Sequence, residues 1–229
     1  MAEISFKKRV MDTIIKNAKL YKEKFVDYEY IICSEAFQYK EFYIISANED
    51  NYQHLTGVHS LISAKEFFIK SYNGTLQESD FDFIKRGQSE SAVKGSVRRK
   101  ISVLPNIVHI FDSGTKVQEN FIKNKVNCSF ATADGKCTLG FVDCGKSRPM
   151  SLIKGDELDR SRSKEIALLL RKHVSKDKFD ELIVGDLDIL NRYLDKLEGL
   201  IDDKLIQQLN TIRKLHIAQE EVAVSDDSL

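Results

Sequence analysis

The sequence predicts an α+β fold: a small, highly curved antiparallel sheet packed by N-terminal and central helices and followed by a helical C-terminal extension. Three observations carry this prediction. Phe6, Val10, Ile14, Ala18, Tyr21 and Phe25 recur at steps of three and four, which makes one apolar helical stripe. From Val126 the apolar period falls to two, and Asp134-Gly135 is a tight-turn signal between two such runs. Beyond Gly185 the aliphatic residues from Leu187 to Leu215 return to threes and fours.

Taken in order, the first 25 residues read as an amphipathic helix with a basic outer side. Tyr28–Cys33 and Phe42–Ile45 are β-branched and aromatic, as strands of a hairpin would be. Tyr52-Gln53-His54-Leu55-Thr56 reads as a resumed strand ending at Gly57, with Tyr52, His54 and Thr56 on one face. Ser63 and Glu66 have capping-box spacing before a helix that buries Phe67, Phe68 and Tyr72 and stops at Asn73-Gly74. Residues 85–96 read as a polar loop. Ile101, Leu104, Val108 and Phe111 then repeat helically around Pro105, which calls for a kink or a helix start. Val126–Thr132, Thr138–Asp143 and Met150–Lys154 form a three-stranded meander, and 164–174 fits a buried helix or one more strand. The division expected is a domain over 1–175, a helical extension over 176–219 broken near Gly199, and a disordered acidic tail over 220–229.

Composition narrows the class. The chain has 42% hydrophobic and 31% charged residues, and its aliphatic runs are too short for a transmembrane helix. The N-terminus has no signal-peptide core, and the four cysteines form no CxxC pair. Reduced thiols in a cytoplasmic protein, with no structural zinc and no membrane contact, are therefore expected. Net charge is zero, yet residues 84–136 carry ten Lys/Arg against four Asp/Glu, while 177–229 carry six against thirteen. The first balance fits a surface that meets a polyanion, and the second an acidic segment able to shield it.

P-loop, dinucleotide-binding, nucleophile-elbow, HExxH and EF-hand patterns are all missing from the sequence. The candidates that remain need no metal or cofactor. His54 and Thr56 pair a titratable imidazole with a hydroxyl. Ser113-Gly114-Thr115-Lys116 is a fragment of a phosphate-loop pattern, and Ser151 and Lys154 follow a turn carrying Lys146 and Arg148. Arg98 and Arg99 stand in the basic cluster with Lys94 and Lys100.

His54-Leu55-Thr56-Gly57-Val58 after an FYIIS-type strand, a Ser-Ala-Lys-Glu-Phe-Phe helix and a late Pro-Met-Ser-Leu-Ile-Lys strand together resemble a known family. The order is similar to the phage-associated nuclease domains grouped with barnase, EndoU, colicin and RelE, the BECR fold, in particular the fourth phage variety. The resemblance runs over roughly residues 28–160. It implies metal-independent cleavage of RNA in phage or mobile-element conflict, as a toxin or defence effector, and an inhibitor or immunity protein as a partner. His54, Thr56, Ser151 and Lys154 would then be catalytic, with Lys116, Arg148, Arg98 and Arg99 holding substrate. In such a reaction the 2′-hydroxyl attacks the adjacent phosphate, and the protein supplies a base, an acid and cations. The alternative is a non-catalytic RNA- or nucleotide-binding module. In either case the 187–215 stripe needs cover, either from the domain's own sheet or from a second chain in a homodimer.

Overall fold

The computed structural model describes residues 5–124 and 126–211, and it is the mixed α+β architecture expected. A strongly curled nine-stranded sheet runs in the order β11 (Glu181–Val184), β10 (Leu168–His173), β1 (Tyr28–Cys33), β2 (Tyr43–Ser46), β8 (Lys146–Lys154), β7 (Cys137–Cys144), β6 (Val126–Ala133), β5 (Lys116–Lys123), β9 (Lys164–Glu165). It is larger than the small sheet expected. Every neighbouring pair is antiparallel except β2 and β8, which meet in parallel at Ile45 and Ser147. That single contact joins two antiparallel halves. Between β2 and β5 the chain makes α2 (Asn51–Thr56), a two-stranded ribbon of β3 (His59–Ser60) and β4 (Phe81–Asp82), α3 (Ala64–Asn73) and α4 (Glu90–Val103).

One face of the sheet packs on α1 (Phe6–Tyr21) and these crossover helices. Ser5 caps α1 by accepting the Lys8 amide at 3.0 Å, and Val10, Ile14, Ala18 and Tyr21 turn inward as their spacing requires. Against them lie Tyr30 and Ile32 of β1, Leu139 and Phe141 of β7 and Leu152 of β8. Phe130 and Phe141 are direct cross-strand partners with ring centroids 4.7 Å apart. Ser63 caps α3 and Gly74 ends it in the left-handed region, as read from the sequence. The third buried position of α3 is Ser71 rather than Tyr72, whose ring is 36% exposed.

Several expectations are corrected. Residues 52–56 are helical: Tyr52, Leu55 and Thr56, the buried positions, stand three and four apart rather than two. The loop after 85 ends at Ser89, whose hydroxyl accepts the Ala92 amide and starts α4. Pro105 begins a 3-10 turn at Leu104–His109, so the helix changes type there. Strand β8 starts at Lys146 and contains Pro149. A register shift opposite Gly140 and Phe141 makes room for the proline, which cannot donate to the ladder. Of the two readings of 164–174, the strand is the one present, as β9 and β10. Leu168 and Leu170 face one layer and Leu169 the other, so β10 is covered on both sides and loses the alternation that marks a half-buried strand.

The second layer comes from the C-terminal part. After the edge strand β11 it consists of α5 (Leu187–Tyr193), a 3-10 turn at Leu194–Leu197, and a helical segment over 203–211. The break near Gly199 is present, with φ +75° there. Leu190, Leu197, Ile201, Leu205 and Leu209 pack on Ile31, Cys33, Leu168 and Leu170. The described part of the leucine stripe is thus covered by the chain's own sheet. The remainder of the stripe to Leu215 and the acidic tail over 220–229 lie outside the described residues. Among the described residues no helix is long and apolar enough to cross a membrane.

Candidate active site

The short helix α2 is held from beneath by two buried tyrosines. The Tyr52 hydroxyl donates to the Ile14 carbonyl at 2.6 Å, and Tyr21 donates to the Asn48 carbonyl at 2.9 Å, with the two rings 4.9 Å apart. These bonds fix α2 to α1 and turn its polar side outward. Gly57 then ends the helix at φ +79°, a left-handed conformation that glycine adopts without a Cβ penalty. The chain reverses into β3, where His59 stands opposite Asp82 of β4.

These turns build a cleft of about 460 Å³ lined by Gln53, His54, Gly57, Val58, His59, Ile84, Lys85 and Arg86. Two imidazoles therefore share one opening with two cations. His59 Nδ1 lies 2.9 Å from Asp82 Oδ1, which leaves Nε2 for the cleft. Burial by itself would raise the Asp82 carboxyl. The Ile84 amide at 2.9 Å, the His59 ring and Lys7 outweigh it and hold the group below the usual carboxylate range. Among the described residues no carboxylate lies within ion-pair distance of His54. Partial burial of its ring, followed by Lys100 and Lys85, lowers it below 6.5, with Asp50 opposing. It is thus a neutral imidazole at physiological pH, suited to accept a proton.

Lys100 reaches this site from α4. Its ammonium donates to the His54 carbonyl at 2.8 Å, and its stem lies on Gly57 so closely that a Cβ there would sit 2.7 Å from Lys100 Cδ. Burial, then Lys85, brings Lys100 down to about 8.

Of the eight residues singled out in the sequence, His54 alone lines the cleft. Thr56 is fully buried and its hydroxyl donates to the Gln53 carbonyl at 2.7 Å; two residues from His54 on a helix, it faces away from it. Arg98 and Arg99 are exposed on α4, two residues and one residue from Lys100, and Arg98 stacks 5.2 Å from the Phe6 ring. Ser151 is half-buried on β8 opposite Gly140, and Lys154 is exposed opposite Cys137. Arg148 is exposed opposite Val142, and Lys116 is exposed where β5 meets β6 and β9.

His59, Asp82, Lys85 and Arg86 were missed as site residues. Two of the chain's five histidines fall five positions apart around Gly57, which is a readable signal. The pairing of His59 with Asp82, 23 residues on, has no local one. Among the described residues no three His, Cys, Asp or Glu side chains are grouped so as to hold a metal ion.

No curated protein and no solved structure matches this chain. A family model does match, over residues 13–182, a span that contains the whole cleft and ends before α5. With a sheet, a crossover and a cationic two-histidine cleft all inside that match, the chain belongs to the phage-Barnase-EndoU-ColicinE5/D-RelE like nuclease 4 family.

Proposed function

We propose that this nuclease-family chain is a ribonuclease that cleaves RNA without a metal, with the cleft between α2 and β3–β4 as its active site. The observation that carries this reading is the meeting of two imidazoles in one cationic opening. They differ as an acid and a base should. His54, unpaired by any carboxylate and lowered below 6.5, takes the proton from the 2′-hydroxyl as its oxygen bonds to phosphorus. His59, held at Nδ1 by Asp82, gives a proton from Nε2 to the departing 5′-oxygen as the phosphorus bond to it breaks. Lys85 and Arg86 face the negative charge that builds on the phosphate between these events. Arg98 and Arg99 meet flanking phosphates. A role in conflict between phages or mobile elements and their hosts follows from the family's phage association.

A second reading, binding of RNA without cleavage, is favoured by the same unpaired cations. One experiment separates them. The full chain is incubated in EDTA with an RNA oligonucleotide and with its counterpart carrying one 2′-deoxy residue. The proposal expects cleavage with a 2′,3′-cyclic phosphate end in the first, and protection at the modified position in the second. Cleavage at the deoxy position, or a strict need for a divalent ion, overturns the mechanism. Binding with no cut product leaves the second reading.

A further inference from the structure

The cations at this cleft differ from the paired lysines of α3 and α4. Two lysines of the neighbouring helices are matched: Lys70 meets Asp80 at 2.9 Å and Lys94 meets Glu90 at 2.6 Å. Among the described residues no carboxylate lies within 4.0 Å of Lys85, Arg86 or Lys100. The carboxylate that pairs at the site, Asp82, is taken by His59 and the Ile84 amide. Lys85 and Lys100 nevertheless stand close enough to repel one another. A fold that buries an ammonium beside a second cation, with no counter-charge, keeps an arrangement that is unfavourable until an anion arrives.

The position of Lys100 is also fixed more firmly than a surface lysine's. Its stem occupies the space that a side chain at position 57 would need, and glycine is the residue found there. Its ammonium has three protons, of which the His54 carbonyl takes one at 2.8 Å. Two remain for a ligand. The carbonyl thus acts as a tether that aims the charge.

We propose that Lys100, seated against Gly57, and Lys85 of the cleft wall form a discrete phosphate subsite at the edge of the cleft, which receives one phosphate group beside the two histidines. The subsite stands on the geometry of Gly57, His54 and Lys100. That its phosphate belongs to RNA rests on the ribonuclease reading.

The test uses inorganic phosphate as the probe, titrated at low ionic strength into the full chain and followed by backbone amide NMR and calorimetry. Saturable binding is expected, with shifts at His54, Gly57, Lys85 and Lys100. Lys100→Gln and Lys85→Gln should each weaken it by about tenfold, the scale of one charge-assisted hydrogen bond. Lys100→Arg keeps the charge and should bind within a few-fold of wild type, which separates lost charge from lost folding. Lys65→Gln, at an exposed position of α3, should bind as wild type does. Equal affinity in wild type and Lys100→Gln, or the absence of saturable shifts at these residues, overturns the subsite. RNA cleavage is scored on the same samples. Phosphate binding without cleavage keeps the subsite and ends the ribonuclease reading; cleavage without phosphate binding does the reverse.

Discussion

Replacing Lys100 with methionine should make the protein more stable at neutral pH, although it removes a hydrogen bond. The lysine is held at about 8 in the fold against an ordinary 10.5. Because the folded value is the lower one, the fold disfavours the charged form. The lysine's contribution is neutral well above 10.5 and becomes a penalty as pH falls towards 8. At 1.36 kcal/mol per unit, the penalty is about 3 kcal/mol at pH 7 and about 1.4 kcal/mol at pH 9.5. Methionine keeps the apolar stem over Gly57 and drops the charge. The lost bond to the His54 carbonyl offsets about 1 kcal/mol. Lys100→Met should therefore gain roughly 1–2 kcal/mol at pH 7, and that advantage should shrink by about 2 kcal/mol at pH 9.5. Urea denaturation of both proteins at the two pH values measures it. The buried Tyr21 and Tyr52 hydroxyls, whose pKa values burial raises, are common to both proteins and cancel in the difference. Parallel pH dependence in the two proteins would refute the claim that Lys100 is an uncompensated buried charge.

The pH–rate profile of RNA cleavage should keep its acidic limb below 6.5, because His54 must be neutral to act and is lowered. Phosphate binding should weaken in wild type as pH rises through about 8 and hold in Lys100→Arg; an acidic limb above 6.5 contradicts the role of His54. Gly57→Ala forces a left-handed alanine and displaces the Lys100 stem, so it should cost at least about 1 kcal/mol and weaken phosphate binding; thermal melts and the phosphate titration check both. Truncation after Gly185 bares Ile31, Cys33, Leu168 and Leu170. At about 1.5–3 kcal/mol for each large aliphatic side chain, the loss approaches the whole stability of a domain. The truncated chain should aggregate, and a soluble, cooperatively unfolding product would show that the second layer is dispensable.

Helices and turns whose signals are local were legible in the sequence. The stripe of α1, the Ser63 cap with its Gly74 stop, and the Asp134-Gly135 turn all act within a few residues. Asp134 indeed accepts the amides of Lys136 and Cys137, each at 2.8 Å. What failed or stayed open depends on partners far along the chain. Strand β10 is apolar throughout because two layers cover it, and the second layer comes from residues about 20–40 positions later. Residues 52–56 are polar and apolar by turns, and two buried tyrosine anchors, not propensity, decide that they coil. The same distinction governs the site. His54 was visible as a lone imidazole before a glycine, but its companions are set by the β3–β4 pairing and by the reach of α4 over Gly57. Thr56 looked like a neighbour of His54 only under a period of two. The family resemblance, placed on residues 28–160, pointed to the right nuclease family, whose match extends to 13–182.

The claim that matters most is that the cleft between α2 and β3–β4 cuts RNA with its two histidines. Single-turnover cleavage of an RNA oligonucleotide in EDTA, by wild type, His54→Ala and His59→Ala, tests it directly. Each variant is first shown to melt cooperatively and to bind phosphate. The account predicts cleavage by wild type and a loss of about a hundredfold or more in each variant, the scale of one general acid or base. Unchanged cleavage by both folded variants would place the active site elsewhere in the chain.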